Sequence, residues 1–215
     1  MKRSLSTNDT TLREPWLQWA VEIQSIAQCG LAYCRDVYDI ERYQRLHTLS
    51  AEMLAHQSDI PIEKVKDLFC CEQGYQTPKL DTRAAVFAGG RVLLVQEKNG
   101  LWTMPGGWMD VSETIASNTE KEAWEEAGVR VKARRIVAIQ DWARNNRANS
   151  ALSICKVFVL CRFIGGEFQP NSETLASGWF LPEQLPPLCE DKTTPAQIAL
   201  CLNASQSTHW ETVFD

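Results

Sequence analysis

Three glutamates, Glu122, Glu125 and Glu126, stand at i, i+3 and i+4 in the segment GGWMDVSETIASNTEKEAWEEAGV. On a helix that spacing gathers them on one narrow face, where a like-charged pair costs about 0.2–0.5 kcal/mol. A divalent cation relieves the repulsion. Hard cations prefer oxygen ligands, and magnesium is often held by a few carboxylates, with waters and phosphate oxygens completing its shell. An ExxEE cluster alone also describes a solvated acidic surface. Its setting separates the two readings: a Pro105-Gly106-Gly107 turn follows a strand, a further acid, Glu113, precedes the helix, and Gly128 closes it. Ala116, Ala123 and Ala127 lie on a different stripe, which is expected to pack closely on a sheet.

The elements that must hold this helix read as follows. RAAVFAGGRVLLVQEKNGLWTM predicts strand, Gly89-Gly90 turn, strand, Asn99-Gly100 turn and strand, Asn-Gly being the favoured type I′ pair. The acidic helix comes next, then strands near 134–142, 151–164 and 177–181, and a helix from about Pro195 to Asn203. This order predicts an α/β (α+β) domain with a mixed sheet. Before it, Trp16, Trp19, Ala20, Ile23, Ile26, Ala27 and Leu31 recur at helical spacing over about 15–34, and two further periodic stretches end around Phe69. Gly74 and Pro78 break the period, so a small all-helical unit is expected before residues 71–80. Two tryptophans on its first helix exceed what so small a unit buries, which points to a dimer or domain interface.

Composition narrows the function classes. The chain has 215 residues, 44% hydrophobic and 23% charged, within the globular range. Net charge is −5, and the first eighty residues carry nine Lys and Arg against eleven Asp and Glu, so non-specific nucleic-acid binding is disfavoured. MKRSLSTNDTT turns polar where a signal peptide needs an apolar run, and no segment approaches the roughly 18 apolar residues of a membrane span. A cytoplasmic protein with no membrane partner is expected. The eight cysteines lack zinc-like pairs and fall mostly in apolar segments, as reduced thiols do.

The 23 residues from Gly107 to Val129 resemble the Nudix box: Gly, five residues, Glu, seven residues, Arg-Glu, an aliphatic, any residue, Glu-Glu, any residue, Gly, an aliphatic. Gly107, Glu113, Glu122, Glu125, Glu126, Gly128 and Val129 match; Lys121 stands where the pattern has Arg, and Ala123 where it has a larger aliphatic. The resemblance implies a Nudix fold, a mixed sheet sandwiched by helices. It implies that Glu122, Glu125 and Glu126 bind Mg2+ or Mn2+, with the Gly107 carbonyl a further ligand and Glu113 in the outer shell. The ion would neutralise pyrophosphate oxygens and acidify a water for in-line attack. In the family the Arg orients one glutamate. A lysine lacks the planar fork, so reduced rather than abolished activity is expected of Lys121. Two residues compete as the general base, Glu126 and Glu173, the latter in the loop QPNSETLASGWF, from which members often take it.

The helical unit, TPKLDTRAAVF, VAIQDW, KVFVLCRFIGGEF and WFLPEQLPPL resemble one Nudix subgroup, hydrolases of X-linked nucleoside diphosphates that include CDP-choline pyrophosphatases and proteins labelled ADP-ribose pyrophosphatase. This implies a homodimer, with residues 1–75 as a dimerisation or substrate-shaping domain and 76–215 as the hydrolase domain. CDP-choline, cleaved to CMP and phosphocholine, is the first expected substrate and ADP-ribose the alternative. Trimming of RNA 3′ ends and nucleotide sensing without hydrolysis are the further readings. Base or choline recognition calls for aromatic faces, for which Trp108, Trp142, Phe158 and Trp179 are candidates, with packing as the competing role. Arg144 and Arg147, in the polar stretch ARNNRANS, are candidates for a distal phosphate.

Overall fold

The computed structural model describes residues 14–58, 60–69, 74–146 and 151–215. It divides into two compact units, one of the described residues through Pro78 with 151–153, the other of Lys79–Asn146 and Ile154–Asp215.

In the first unit α1 (Pro15–Tyr33) starts with proline in its first turn, where the missing N–H has no helical partner to lose. α2 (Val37–Gln57) is capped by Asp36, whose carboxylate accepts from the Tyr38 and Asp39 amides, and α3 (Ile62–Phe69) follows. Leu17, Ala20, Ala51, Leu54, Val65 and Phe69 form the core. The backbones of α1 and α2 approach closely at Gly30, where a Cβ would lie 2.4 Å from the Tyr43 ring. Gln24, fully buried, is satisfied by Ser50 and Gln28. Trp19, Ile26 and Tyr33 do not join this core: they recur every seventh residue along α1 and are 59%, 51% and 70% exposed.

The second unit runs β1 (Lys79–Ala88), β2 (Arg91–Glu97), β3 (Trp102–Thr103), α4 (Ile115–Ala127), β4 (Val129–Asp141), α5 (Trp142–Asn145), β5 (Ile154–Gly166), β6 (Thr174–Phe180), α6 (Pro195–Gln206) and β7 (Val213–Phe214). The sheet order is β3-β2-β1-β5-β4-β7, with β6 pairing β2. β1 and β5 run parallel over eight residue pairs, and β4 lies antiparallel to β5. Strand alternation gives each face its own core. Ala84, Val86, Leu93, Val95, Val157, Val159 and Cys161 pack with Ala123 and Ala127 of α4. Ala85, Val92, Leu94, Phe158 and Val137 pack with Ile198, Cys201 and Ala204 of α6. The sheet is therefore mixed and sandwiched by helices.

One local expectation holds and others change. Gly89 and Gly90, both with positive φ, make the two-residue hairpin turn, since Ala88 pairs Arg91 directly. The Asn99-Gly100 connection instead has three residues: the Gly100 amide donates to the Glu97 carbonyl, and Glu97 donates to the Leu101 carbonyl. β4 starts at Val129, straight after the α4 cap, earlier than alternation suggests. Trp142–Asn145 is a helical turn rather than loop, capped by Asp141, and β7 pairs with β4. Ala116 is exposed, and the buried side of α4 is set by Asn118, Thr119, Ala123, Glu126 and Ala127.

Cys29, Cys34, Cys155, Cys161, Cys189 and Cys201 are free thiols; Cys70 and Cys71 lie outside the described residues. Burial pushes Cys161 and Cys201 up to about 12, which makes them inert packing groups. Among the described residues no helix is long and apolar enough to cross a membrane.

Candidate active site

The site begins with a backbone crossing. The segment after β3 folds along the first half of β1, where β2 does not reach: Thr82 donates to the Gly107 carbonyl at 2.9 Å, Ala84 to Pro105 at 2.7 Å, and Met109 to Leu80 at 2.8 Å. Gly106 has φ +148, and a Cβ there would lie 1.9 Å from the Thr82 carbonyl oxygen, so only glycine fits. Helix α4 is docked above this turn by buried Asn118, which donates to the Thr82 hydroxyl at 2.8 Å and accepts from the Asp110 amide at 3.3 Å. A Thr114–Ser117 capping box starts α4, and Gly128 ends it in the left-handed conformation.

This geometry separates the three glutamates. Glu126 is 8% exposed, and its Oε2 accepts the Gly106 amide at 2.8 Å. Glu122 lies against Gly107, where an added Cβ would be 3.2 Å from its Oε2. Glu125 faces outward and is 48% exposed. Burial, then repulsion from Glu125, raises Glu122 to about 7, opposed by Lys121 and Arg83. Burial also raises Glu126 to about 7, against the pull of Arg83 and the Gly106 N–H, with Glu122 adding repulsion.

Lys121 donates to Asp110 at 2.6 Å and lies 3.8 Å from Glu125. It thus ties the turn to the helix through a carboxylate that sequence reasoning missed, Asp110. Glu113 sits half-buried in the turn before α4, its amide donating to the Asp110 carbonyl. Glu173 is exposed in the loop just before β6, close enough for its charge to be felt at Glu122.

The other face of the sheet carries polar groups that sequence reasoning missed. Arg83 and Asp81, both 3% exposed, form a two-bond ion pair at 2.7 and 2.6 Å, and Arg83 also donates to the Met104 carbonyl. Burial alone would lower the Arg83 pKa; the Asp81 carboxylate outweighs it and raises it. Lys156, opposite Asp81 in β5, donates to the Asp191 and Lys192 carbonyls, and burial with Arg83 nearby lowers it to about 7.

The aromatic and basic candidates disperse. Trp108 is 53% exposed, with the Lys79 amine 6.0 Å from its ring. Trp142 donates its indole N–H to the Asp191 carbonyl. Phe158 is core, and Trp179 stacks edge-on against Phe163. Arg144 is exposed on α5, and Arg147 lies outside the described residues.

The donors suit a hard cation: carboxylate oxygens of Glu122 and Glu126 and the Gly107 carbonyl, which keeps a lone pair beyond its bond to Thr82. Among the described residues no three His, Cys, Asp or Glu side chains converge as an all-protein cage would require. A magnesium-type site, completed by waters and substrate phosphate, does not need such a cage. The raised carboxylates carry a pH signature in the metal-free protein. Their folded values near 7 exceed the ordinary 4.5, so the folded state binds the extra protons between those limits. That stabilisation is full below about pH 4.5 and lost as pH rises through about 7. A cation held by these two carboxylates would have to displace the same protons, so Mn2+ affinity is expected to rise from pH 6 to 8 and then level off. Thermal melts in chelator and in Mn2+ across that range check this; a metal-induced shift larger at pH 6 than at pH 8 contradicts it.

Two family models match the chain. One, described as a UDP-X-like, N-terminal oligomerisation domain, covers residues 14–69; the other, the NUDIX domain, covers 78–200. Over 201 residues the chain is 38% identical to YjhB of Bacillus subtilis (strain 168), named after ADP-ribose pyrophosphatase activity, spanning 93% of this chain and 97% of that protein. A crystal structure titled ADP-ribose pyrophosphatase, from Streptococcus suis 89-1591, is 57% identical with a TM-score of 0.61, covering 65% of this chain and all of that one. A structure titled UDP-X diphosphatase is 30% identical with a TM-score of 0.60, covering 92% of this chain and 97% of that one.

Proposed function

The chain belongs to the Nudix hydrolase family, and from that premise we propose that it splits the pyrophosphate of a nucleoside diphosphate linked to a second group, with ADP-ribose as its first substrate. The carrying observation is the placement of Glu126 and Glu122 against Gly106 and Gly107, which puts two carboxylates and a main-chain carbonyl at one turn. Glu122, Glu126 and the Gly107 carbonyl hold Mg2+ or Mn2+, with Glu125 joining from its exposed position and Glu113 in the outer shell. When bound, the ion supplies charge neutralisation at the phosphates and acidifies a water. Lys121 acts through Asp110 and Glu125, keeping the turn and helix in register. Glu173 takes the proton of the attacking water: its carboxylate is exposed and makes no hydrogen bond or ion pair among the described residues, whereas Glu126 is held by Gly106. Trp108, with its open face, is the aromatic best placed to stack on a base, and Arg144 is free to meet an outer phosphate; Trp142 has a packing role.

ADP-ribose takes precedence because YjhB and the Streptococcus suis structure both carry that name. The match to a UDP-X diphosphatase across both units favours a second reading, a UDP-linked substrate. CDP-choline, implied by the subgroup resemblance, is the third. Initial-rate comparison of ADP-ribose, UDP-glucose, CDP-choline and a short RNA, with Mg2+ or Mn2+, ranks them by kcat/KM. A best rate on ADP-ribose is expected, and a tenfold preference for another compound overturns the assignment.

The first unit mediates a homodimer in this reading. Trp19, Ile26 and Tyr33 make an apolar stripe spaced for a helix-to-helix seam, on a unit whose family model is described as an oligomerisation domain. Ile26→Glu, exposed in the single chain, is expected to halve the mass seen by light scattering with little loss of helical signal. A mass equal to the parent's removes this face from the interface.

A further inference from the structure

Asn171 and Thr174 link the residue bearing Glu173 to the residue bearing Glu126. The main-chain carbonyl of Glu126 lies in the last turn of α4, where carbonyls lack helical partners. It accepts the Thr174 hydroxyl at 2.6 Å and the Asn171 side-chain amide at 3.4 Å. The same Asn171 side chain accepts, at its Oδ1, the Glu173 amide at 2.9 Å and the Thr174 amide at 2.8 Å, and its Nδ2 lies 3.0 Å from the Thr174 hydroxyl. One further step along β6, the Ser177 hydroxyl donates to the Ala127 carbonyl at 3.3 Å. The Glu173 backbone is thus referenced to the peptide of Glu126, while its side chain stays free to reach.

We propose that Asn171 and Thr174 are positioning residues that set the Glu173 carboxylate relative to the Glu122–Glu126 pair. The inference rests on Glu173 being the general base. Thr174 is 6% exposed, and of the two acceptors its hydroxyl reaches, the Glu126 carbonyl at 2.6 Å is closer than Asn171 Oδ1 at 3.2 Å. Asn171 contributes both its acceptor and its donor, so an aspartate there keeps the two amide bonds and loses its own bond to α4, leaving the Thr174 hydroxyl as the remaining link. Freeing the loop lets the base drift, and displacements near 1 Å can cost up to about a hundredfold in rate.

The test is a double-mutant cycle in the full-length protein with Mn2+ and ADP-ribose, or whichever compound the rate comparison selects. Thr174→Val is expected to lower kcat about tenfold with KM within about twofold, and Thr174→Ser to recover most of the loss. In a Glu173→Gln background Thr174→Val should cost nothing further. If Thr174→Val fails to fold by thermal melt, Asn171→Asp takes its place in the same cycle. Equal losses in both backgrounds, or no loss in the parent, overturn the positioning role while leaving Glu173 as the base. A Glu173→Gln enzyme with the parent's kcat and pH profile removes the base assignment itself, and the clamp's catalytic role with it.

Discussion

Replacing Glu126 by glutamine is expected to lower kcat by about 10²- to 10⁴-fold while leaving the fold intact. The side chain is buried and hydrogen-bonded at 2.8 Å to the Gly106 amide, a bond that a glutamine carbonyl can still accept. Shape and packing against the turn are therefore preserved, and what disappears is the negative charge. In the metal-free protein that charge is already disfavoured, since burial holds the carboxyl at about 7. Glu126→Gln should then melt no lower than the parent in chelator at pH 8, and should lose most of the Mn2+-induced stabilisation. Glu125→Gln, at a side chain 48% exposed, should cost distinctly less. Steady-state rates and paired melts check both statements. A Glu126→Gln enzyme that retains a third of the parent's kcat contradicts the role given to this carboxylate.

Arg83→Met is expected to cost about 3–5 kcal/mol of stability. The loss arises from what remains rather than from what is removed. Asp81, also 3% exposed, would keep a buried carboxylate with neither of its bonds of 2.7 and 2.6 Å. The Met104 carbonyl, at the start of the Pro-Gly-Gly turn, would lose one of its two donors as well and keep only the Thr103 hydroxyl at 3.3 Å. Removing both partners with Asp81→Leu and Arg83→Met should recover most of the loss, because well-packed apolar residues can replace a buried ion pair. Denaturant unfolding of the single and double variants measures the difference. An Arg83→Met protein as stable as the parent would mean that the pair contributes nothing.

These two sites differ in how visible they are in the sequence. Glu122, Glu125 and Glu126 announce themselves by helical spacing, by the turn ahead of them and by the Nudix pattern, all within 23 residues. The helices of the first unit and the strands from β1 to β3 are legible for the same reason, since periodicity is local. Arg83 and Asp81 instead sit in the polar first half of β1, beside Lys79 and Thr82, where nothing local shows that they are buried, and their value depends on each other and on Met104, 21 residues from Arg83. Lys156 in ICKVFVLC looks misplaced until the carbonyls of Asp191 and Lys192 arrive from across the fold. Ala116 illustrates the converse error: it fits a stripe with Ala123 and Ala127, yet lies in the first turn of α4, short of the sheet, and is exposed. The Asn99-Gly100 pair suggested a two-residue turn, but backbone bonds from Glu97 make the connection one residue longer. Asn171 and Thr174 were hidden because a side chain that serves a carbonyl 45 or 48 residues away leaves no local signature.

The most direct measurement is the fate of the substrate in 18O-labelled water with Mn2+, read by mass spectrometry of the separated products. Hydrolysis at the pyrophosphate is expected to give a nucleoside monophosphate and a phosphorylated second product, with one 18O in only one of the two, no product in chelator, and at least about a hundredfold less in the same time with Glu126→Gln. A nucleotide that binds with clear thermal stabilisation yet is recovered intact and unlabelled at every metal concentration would contradict hydrolysis and make the chain a nucleotide-binding protein that has kept the family's glutamates.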